Sequence, residues 1–196
     1  PSGVAVLKNK LFVTEPMSLV EIDIAKAQII KRYDVPGSMM LNDIAADAKG
    51  IMYLSDSARG IIYQFNKGRF TEWLKGPEIS RPNGVYVHGK KLFWGNNGDG
   101  KLKSVDLKTK AIKTLAAFGP GIIDGVMVEA DGNILATHNE GRLFRVSPDG
   151  RVNLLLDTTV IGQNLADFTF IPGSNLLVFP TWLDNRVTAF RLGKAE

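Results

Sequence analysis

The feature that most constrains this chain is a repeat. Five segments share one form, a small or polar pair followed by an apolar alternation: Ser2-Gly3-Val4-Ala5-Val6, Asn42-Asp43-Ile44-Ala45-Ala46, Asn83-Gly84-Val85-Tyr86-Val87, Asp124-Gly125-Val126-Met127-Val128 and Ala166-Asp167-Phe168-Thr169-Phe170. Their first residues lie 40, 41, 41 and 42 positions apart. Each is followed by a turn, by a second apolar strand such as Ile51-Met52-Tyr53-Leu54, and by a third such as Val187-Thr188-Ala189-Phe190-Arg191-Leu192. Four units add a fourth strand, for example Arg151-Val152-Asn153-Leu154-Leu155-Leu156. Four short strands in every ~40 residues is the pattern of a β-propeller blade, a unit that buries its faces only by stacking against its neighbours. No segment holds an apolar period of 3.6, so no helix of consequence is expected. The expected fold is all-β, one propeller domain over residues 1–196 with repeats starting near 2, 42, 83, 124 and 166 and the last incomplete. Because nothing is left to close the ring, the sequence also reads as a six-bladed propeller lacking its first blade.

Composition excludes several functions. With no cysteine among 196 residues, disulfides, thiolate metal sites and thiol nucleophiles are all absent. The net charge of +4 is spread along strands, as in Lys101-Leu102-Lys103-Ser104-Val105-Asp106, which is a solvated face and not a nucleic-acid footprint. No apolar run approaches the ~18 residues of a membrane helix. Neither nucleic acid nor membrane is expected as a partner, and the compartment is open between cytoplasm and an exported location. The bare end faces of an open ring would be covered by pairing with a second copy, giving a homo-oligomer.

The stretch Arg81-Pro82-Asn83-Gly84-Val85-Tyr86-Val87 narrows the search for a site. Asn-Gly usually tips a hairpin, yet here it runs straight into a strand. In a propeller the first strand of each blade lines the central channel, so the pair before it sits at the channel mouth. The expectation is that Gly84 turns the backbone inward through a positive φ while Asn83 aims its oxygen at the axis. The equivalent positions are Ser2, Asn42, Asp124 and Ala166 with Asp167. Asn42, Asn83 and Asp124 then converge two amide oxygens and a carboxylate, a donor set that suits a divalent cation, Ca²⁺ first and Zn²⁺ or Mn²⁺ next. One carboxylate binds weakly, so a further acid is wanted; Asp43 and Asp167, as second residues of their pairs, are expected to point the other way. The loops after the second strands open on the same face and bring Glu15, Asp56, Asn96, His138 and Trp182 as candidate substrate contacts.

At these residues the sequence resembles the superfamily of gluconolactonase and regucalcin (the senescence marker protein). The stretches that carry the likeness are LNDIAADAKGIMYLSDS, RPNGVYVHGKKLFWGNN and IIDGVMVEADGNILATHNEGRLFRVSPDG, and the closing WLDNRVTAFRL is similar to bacterial gluconolactonase-like propellers. The resemblance implies a six-bladed propeller with one divalent metal in the channel mouth, Asn83 and Asp124 as its ligands, and Asn42 facing metal or substrate. It further implies hydrolysis of a lactone or similar small ester by Lewis-acid activation, with Asp124 as the catalytic acid/base. Two departures stand out. The family's glutamate ligand has no counterpart, and Met40 stands where the family grips its substrate with Arg. The competing expectation is a non-catalytic propeller that binds a small ligand or protein partner through the same mouth. A third, a strictosidine-synthase-like enzyme, would need a catalytic glutamate for which Glu15 is the one rim candidate.

Overall fold

A computed structural model describes residues 2–193. The described residues form four four-stranded sheets and one three-stranded sheet, each an antiparallel meander in sequence order. The first contains β1 (Val4–Leu7), β2 (Lys10–Glu15), β3 (Ser18–Asp23) and β4 (Gln28–Asp34). The second contains β5 (Leu41–Ala46), β6 (Met52–Asp56), β7 (Ile61–Asn66) and β8 (Arg69–Lys75). The third contains β9 (Pro82–His88), β10 (Lys91–Asn96), β11 (Lys101–Asp106) and β12 (Ile112–Ala117). The fourth contains β13 (Ile123–Val128), β14 (Ile134–His138), β15 (Arg142–Val146) and β16 (Val152–Asp157); the last contains β17 (Thr169–Ile171), β18 (Leu176–Pro180) and β19 (Val187–Arg191). Among the described residues helical structure is confined to two single 3-10 turns, and no helix is long and apolar enough to cross a membrane. This is the expected blade pattern, five repeats set around a channel.

Side-chain alternation explains the stacking. Each strand sends successive residues to opposite faces, and the apolar sets meet between sheets. Phe12 and Leu19 of the first sheet pack on Ile44, Met52 and Leu54 of the second. Tyr53 and Trp73 pack on Trp94 and Val105 of the third. Phe93 and Leu102 pack on Ile123 and Val126 of the fourth, and Leu135 and Leu143 on Leu177 and Phe179 of the last. Among the described residues no such cluster joins the last sheet to the first, and Val4 and Val6 are exposed on the free face of β1.

The innermost strands are joined by a device that repeats with the blades. A buried hydroxyl on the second strand accepts from an N–H of its own first strand and donates to a carbonyl of the next sheet. Thr14 Oγ1 accepts from Gly3 N (2.8 Å) and donates to Asn42 O (2.6 Å). Ser55 Oγ accepts from Asp43 N (3.0 Å) and donates to Asn83 O (2.6 Å). Thr137 Oγ1 accepts from Gly125 N (2.7 Å) and donates to Ala166 O (2.9 Å). In the third sheet the matching residue is Gly95, and the two backbones close directly: a Cβ on Gly84 would overlap the carbonyl oxygen of Asp124, and one on Gly95 would run into Ile123. Pro82, Asn83 and Gly84 belong to β9, so the Asn-Gly pair is not a hairpin tip. The expected reason for its glycine is corrected, however. Gly84 is not at positive φ; the left-handed residue is Arg81 at φ 53°, and the glycine is needed for close approach.

Candidate functional site

The first-strand entry points of all five sheets open on one pocket of about 290 Å³. Ser2, Asn42, Asn83, Asp124 and Ala166 all line it, together with Asp43, Asp167, Met40, Pro180 and Trp182. Below it lies a channel section of about 460 Å³, walled by residues such as Ile44, Val85, Val126 and Phe168. The two share Asp43 and Asp167, so this carboxylate pair forms the floor of the mouth.

Asn83 is 4% exposed, and its Oδ1 has no hydrogen-bond partner. The backbone fixes it there: its carbonyl is taken by Ser55, and Pro82 O by Ser57 Oγ (2.6 Å). An orphaned buried acceptor costs ~1–3 kcal/mol unless something fills it. Asn42 is steadied by donating from Nδ2 to the same Ser57 Oγ (3.3 Å). Asp124 receives no side-chain hydrogen bond among the described residues; burial, then the Asp167 carboxylate, push its pKa up to about 7. Burial pushes Asp167 up to about 6 against one opposing bond from Phe168 N (2.7 Å); its side chain opens into the channel, where solvent screens part of that rise. Asp43 is held well above the usual carboxylate range by burial first and Asp167 second, although Val85 N–H donates to its Oδ2 (2.7 Å). The expectation that Asp43 and Asp167 turn away is therefore corrected. Asp43 Oδ1 lies over Gly3 and Asp167 Oδ1 over Gly125, glycines whose missing side chains leave room for the carboxylates beside the mouth.

The structure does not bring the other predicted contacts to the pocket. Asp56 is the last residue of β6, fully buried, and accepts from the N–H groups of Met39 (2.8 Å), Met40 (3.2 Å), Ala58 (3.1 Å) and Arg59 (3.0 Å). Asn96 ends β10, accepts from Trp94 Nε1 (2.9 Å) and donates to Glu78 O (3.1 Å). His138 ends β14, is buried, and pairs its Nε2 with Pro120 O (3.1 Å). All three tether the loop that enters their own sheet. Glu15 is paired with Arg32 and Ser18. Of the expected ring beyond Asn42, only Trp182 lines the mouth, at 55% exposure. Met40, which stands where the resembled family has its substrate-gripping Arg, does line the mouth; the missed members are Pro180, which is apolar and carried no chemical signal, and the Asp43/Asp167 floor.

The donor set fits a hard cation. Among the described residues no three His, Cys, Asp or Glu side chains converge as a metal cluster by themselves. An ion here would rest on a mixture: the Asp124 carboxylate, the empty-handed Asn83 oxygen, and Asn42 or a floor carboxylate. With His138 committed elsewhere, the ligands are all oxygen, which suits Ca²⁺ or Mn²⁺ better than Zn²⁺.

No family model matches the chain. Solved structures do. A chain of a nidogen/laminin complex superposes with a TM-score of 0.84 at 16% identity, covering 97% of this chain and 75% of that one. The virginiamycin B lyase of Staphylococcus aureus gives 0.75 at 15% identity, covering 98% and 70%. A gluconolactonase of Xanthomonas campestris gives 0.74 at 17% identity, covering 91% and 68%. The chain shares the fold of the gluconolactonase-like β-propellers. At these identities that is a statement about architecture, and the neighbours span a hydrolase, a lyase and a member of a protein–protein complex. The chain covers between 68% and 75% of their lengths.

Proposed function

We propose that the mouth is the active site of a divalent-metal-dependent hydrolase acting on a lactone or similar small ester. The observation that carries the reading is the pair formed by the Asn83 oxygen, buried without a donor, and the Asp124 carboxylate, which lines the same pocket and receives no side-chain hydrogen bond among the described residues. A buried amide oxygen without a donor beside a carboxylate held in the same pocket favours a cation as their common partner. Asp124 and Asn83 would hold it, with Asn42 facing the metal or substrate. A bound divalent ion supplies Lewis-acid polarisation of a carbonyl and a water acidic enough to attack near neutral pH. Hydrolysis adds hydroxide to the carbonyl carbon, breaks the ring C–O bond and leaves a proton for the departing oxygen. In the ion-free site burial sets Asp124 near 7; committed to an ion it would be held as a carboxylate ligand, and Asp167 beside it would take and return the proton. The gluconolactonase among the structural neighbours agrees with this chemistry.

The test is thermal unfolding with Ca²⁺, Mn²⁺ or Zn²⁺ added, then with EDTA. An ion-specific rise in Tm that Asp124→Ala abolishes is expected. If no ion moves Tm, the hydrolase reading is lost; a rise that survives Asp124→Ala places the ion elsewhere.

A second reading, a non-catalytic propeller that captures a ligand or protein through this mouth, is favoured by apolar residues exposed on the same face, among them Met39, Trp182 and Leu183. It is also favoured by the neighbour from a nidogen/laminin complex. Absence of hydrolysis across a panel of lactones and simple esters, in protein that still binds the ion, would select it.

A further inference from the structure

The walls of the mouth say more about the ligand than its floor does. The floor offers acceptors, from Asn42, Asp43, Asn83, Asp124 and Asp167, and among the described residues no Lys, Arg or His lines the pocket. A sugar acid or another anionic ligand therefore meets like charge and finds no side-chain cation to grip it. The wall is apolar: Met40 at 49% exposure, Pro180 and Trp182. The surrounding loops continue that character. Met17, Met39, Val160, Ile161 and Leu183 are all exposed, and all lie in connections at the mouth end of the sheets. Among the described residues the turns at the opposite end expose fewer large apolar side chains, Ile24 and Ile171. Single exposed apolar residues are ordinary, and others lie on the strands, but Met39 beside Met40 and Leu183 beside Trp182 extend the apolar pocket wall along the chain, which marks a binding surface. Methionine beside tryptophan is also an adaptable apolar contact, an unbranched polarisable chain against a flat ring.

We infer that the mouth takes an ester or lactone carrying an apolar alkyl or aryl substituent, its carbonyl toward Asn83 and Asp124 and its substituent against Met40, Pro180 and Trp182, in place of a polyhydroxylated sugar lactone. The carbonyl half of this rests on the hydrolase reading; the apolar half does not. Trp182 provides the probe. Trp73 and Trp94 are buried in the core, so a ligand at the mouth changes the emission of Trp182 alone.

The experiment titrates the full chain with γ-lactones bearing straight alkyl groups of increasing length, and with glucono-δ-lactone, in Ca²⁺ and again in EDTA, reading emission and hydrolysis. A blue shift that saturates is expected, with affinity rising about two- to fourfold per added methylene; the upper figure is ~0.8 kcal/mol per buried CH₂ at 1.36 kcal/mol per tenfold. Met40→Gln should flatten the rise to below about 1.5-fold per methylene, on the same transfer scale, without altering the ion-induced Tm change. Trp182→Phe should remove the emission response. Affinity independent of chain length, or tighter binding of glucono-δ-lactone than of the long alkyl lactones, overturns the inference and leaves the hydrolase reading standing. A chain-length rise with no lactone hydrolysed sinks the hydrolase reading and leaves apolar recognition intact. An emission shift retained in Trp182→Phe puts the lactone at another place and overturns the proposal.

Discussion

Replacing Asp124 by Asn isolates the cost of holding an acid in the mouth. Burial and Asp167 raise its pKa from 3.8 to about 7. Between those values the folded protein keeps a proton that the unfolded chain has released. Stability contributed at this site is therefore present below about pH 4 and falls as pH rises toward 7. Three pK units at 1.36 kcal/mol each set a ceiling of ~4 kcal/mol, and solvent in the open pocket reduces it to about 2 kcal/mol. Asp124→Asn, which keeps the shape and removes the charge, should stabilise the ion-free protein by that amount at pH 8 and by nothing at pH 3.5. For a chain of this size the gain is roughly 4–8 °C in Tm. The assay is calorimetry in EDTA at pH 3.5, 5, 6.5 and 8 on both proteins. An offset that does not grow with pH, or a variant less stable than the parent at pH 8, would refute the argument that Asp124 is an uncompensated acid. In Ca²⁺ the order should reverse, since the ion supplies the missing partner for the parent alone.

Three further outcomes follow from the scaffold. Thr137→Val removes a hydroxyl from an isosteric side chain and leaves Gly125 N–H and Ala166 C=O unpaired, so urea unfolding should show a loss of about 2–4 kcal/mol; a loss below ~0.5 kcal/mol would mean the bridging bond is dispensable. Gly84→Ala puts a methyl group into the Asp124 carbonyl and should cost about 3 kcal/mol or more, while Gly173→Ala, with open space around it, should stay within ~0.5 kcal/mol. His138→Gln should lower stability by about 1–3 kcal/mol, the cost of an unmatched buried group, yet keep the full ion-induced rise in Tm; loss of that rise would return His138 to the site.

The fold was legible because the blade is a local pattern repeated at an even spacing, and period-two alternation shows which residues face a neighbouring sheet. The mouth was legible in part for the same reason: Asn42, Asn83 and Asp124 occupy one register position, and a common register around an axis is a common place in space. Asp56, Asn96 and His138 occupy another register position, at the end of the second strand, one strand spacing of ~4.8 Å farther from the axis. From there short side chains reach the incoming loop and not the ligand. Strict alternation misdirects Asp43, because the bulge between Leu41 and Ile44 in the second sheet relaxes it at the strand entry, and it does not apply to Asp167, which precedes β17. The bridging hydroxyls had a visible signal, Thr14, Ser55 and Thr137 in one column with Gly95 as the exception, but Ser and Thr at strand positions carry no distinctive chemistry until their partners are known.

The bridging bonds end on main-chain oxygens of Asn42, Asn83 and Ala166, residues whose side chains border the ligand pocket. Cohesion and recognition thus draw on different atoms of one residue. At these three positions the side chain can be exchanged without loosening the bond that joins the blades, whereas Asp43, whose carboxylate accepts from Val85 N–H of the next sheet, serves the joint and the pocket at once.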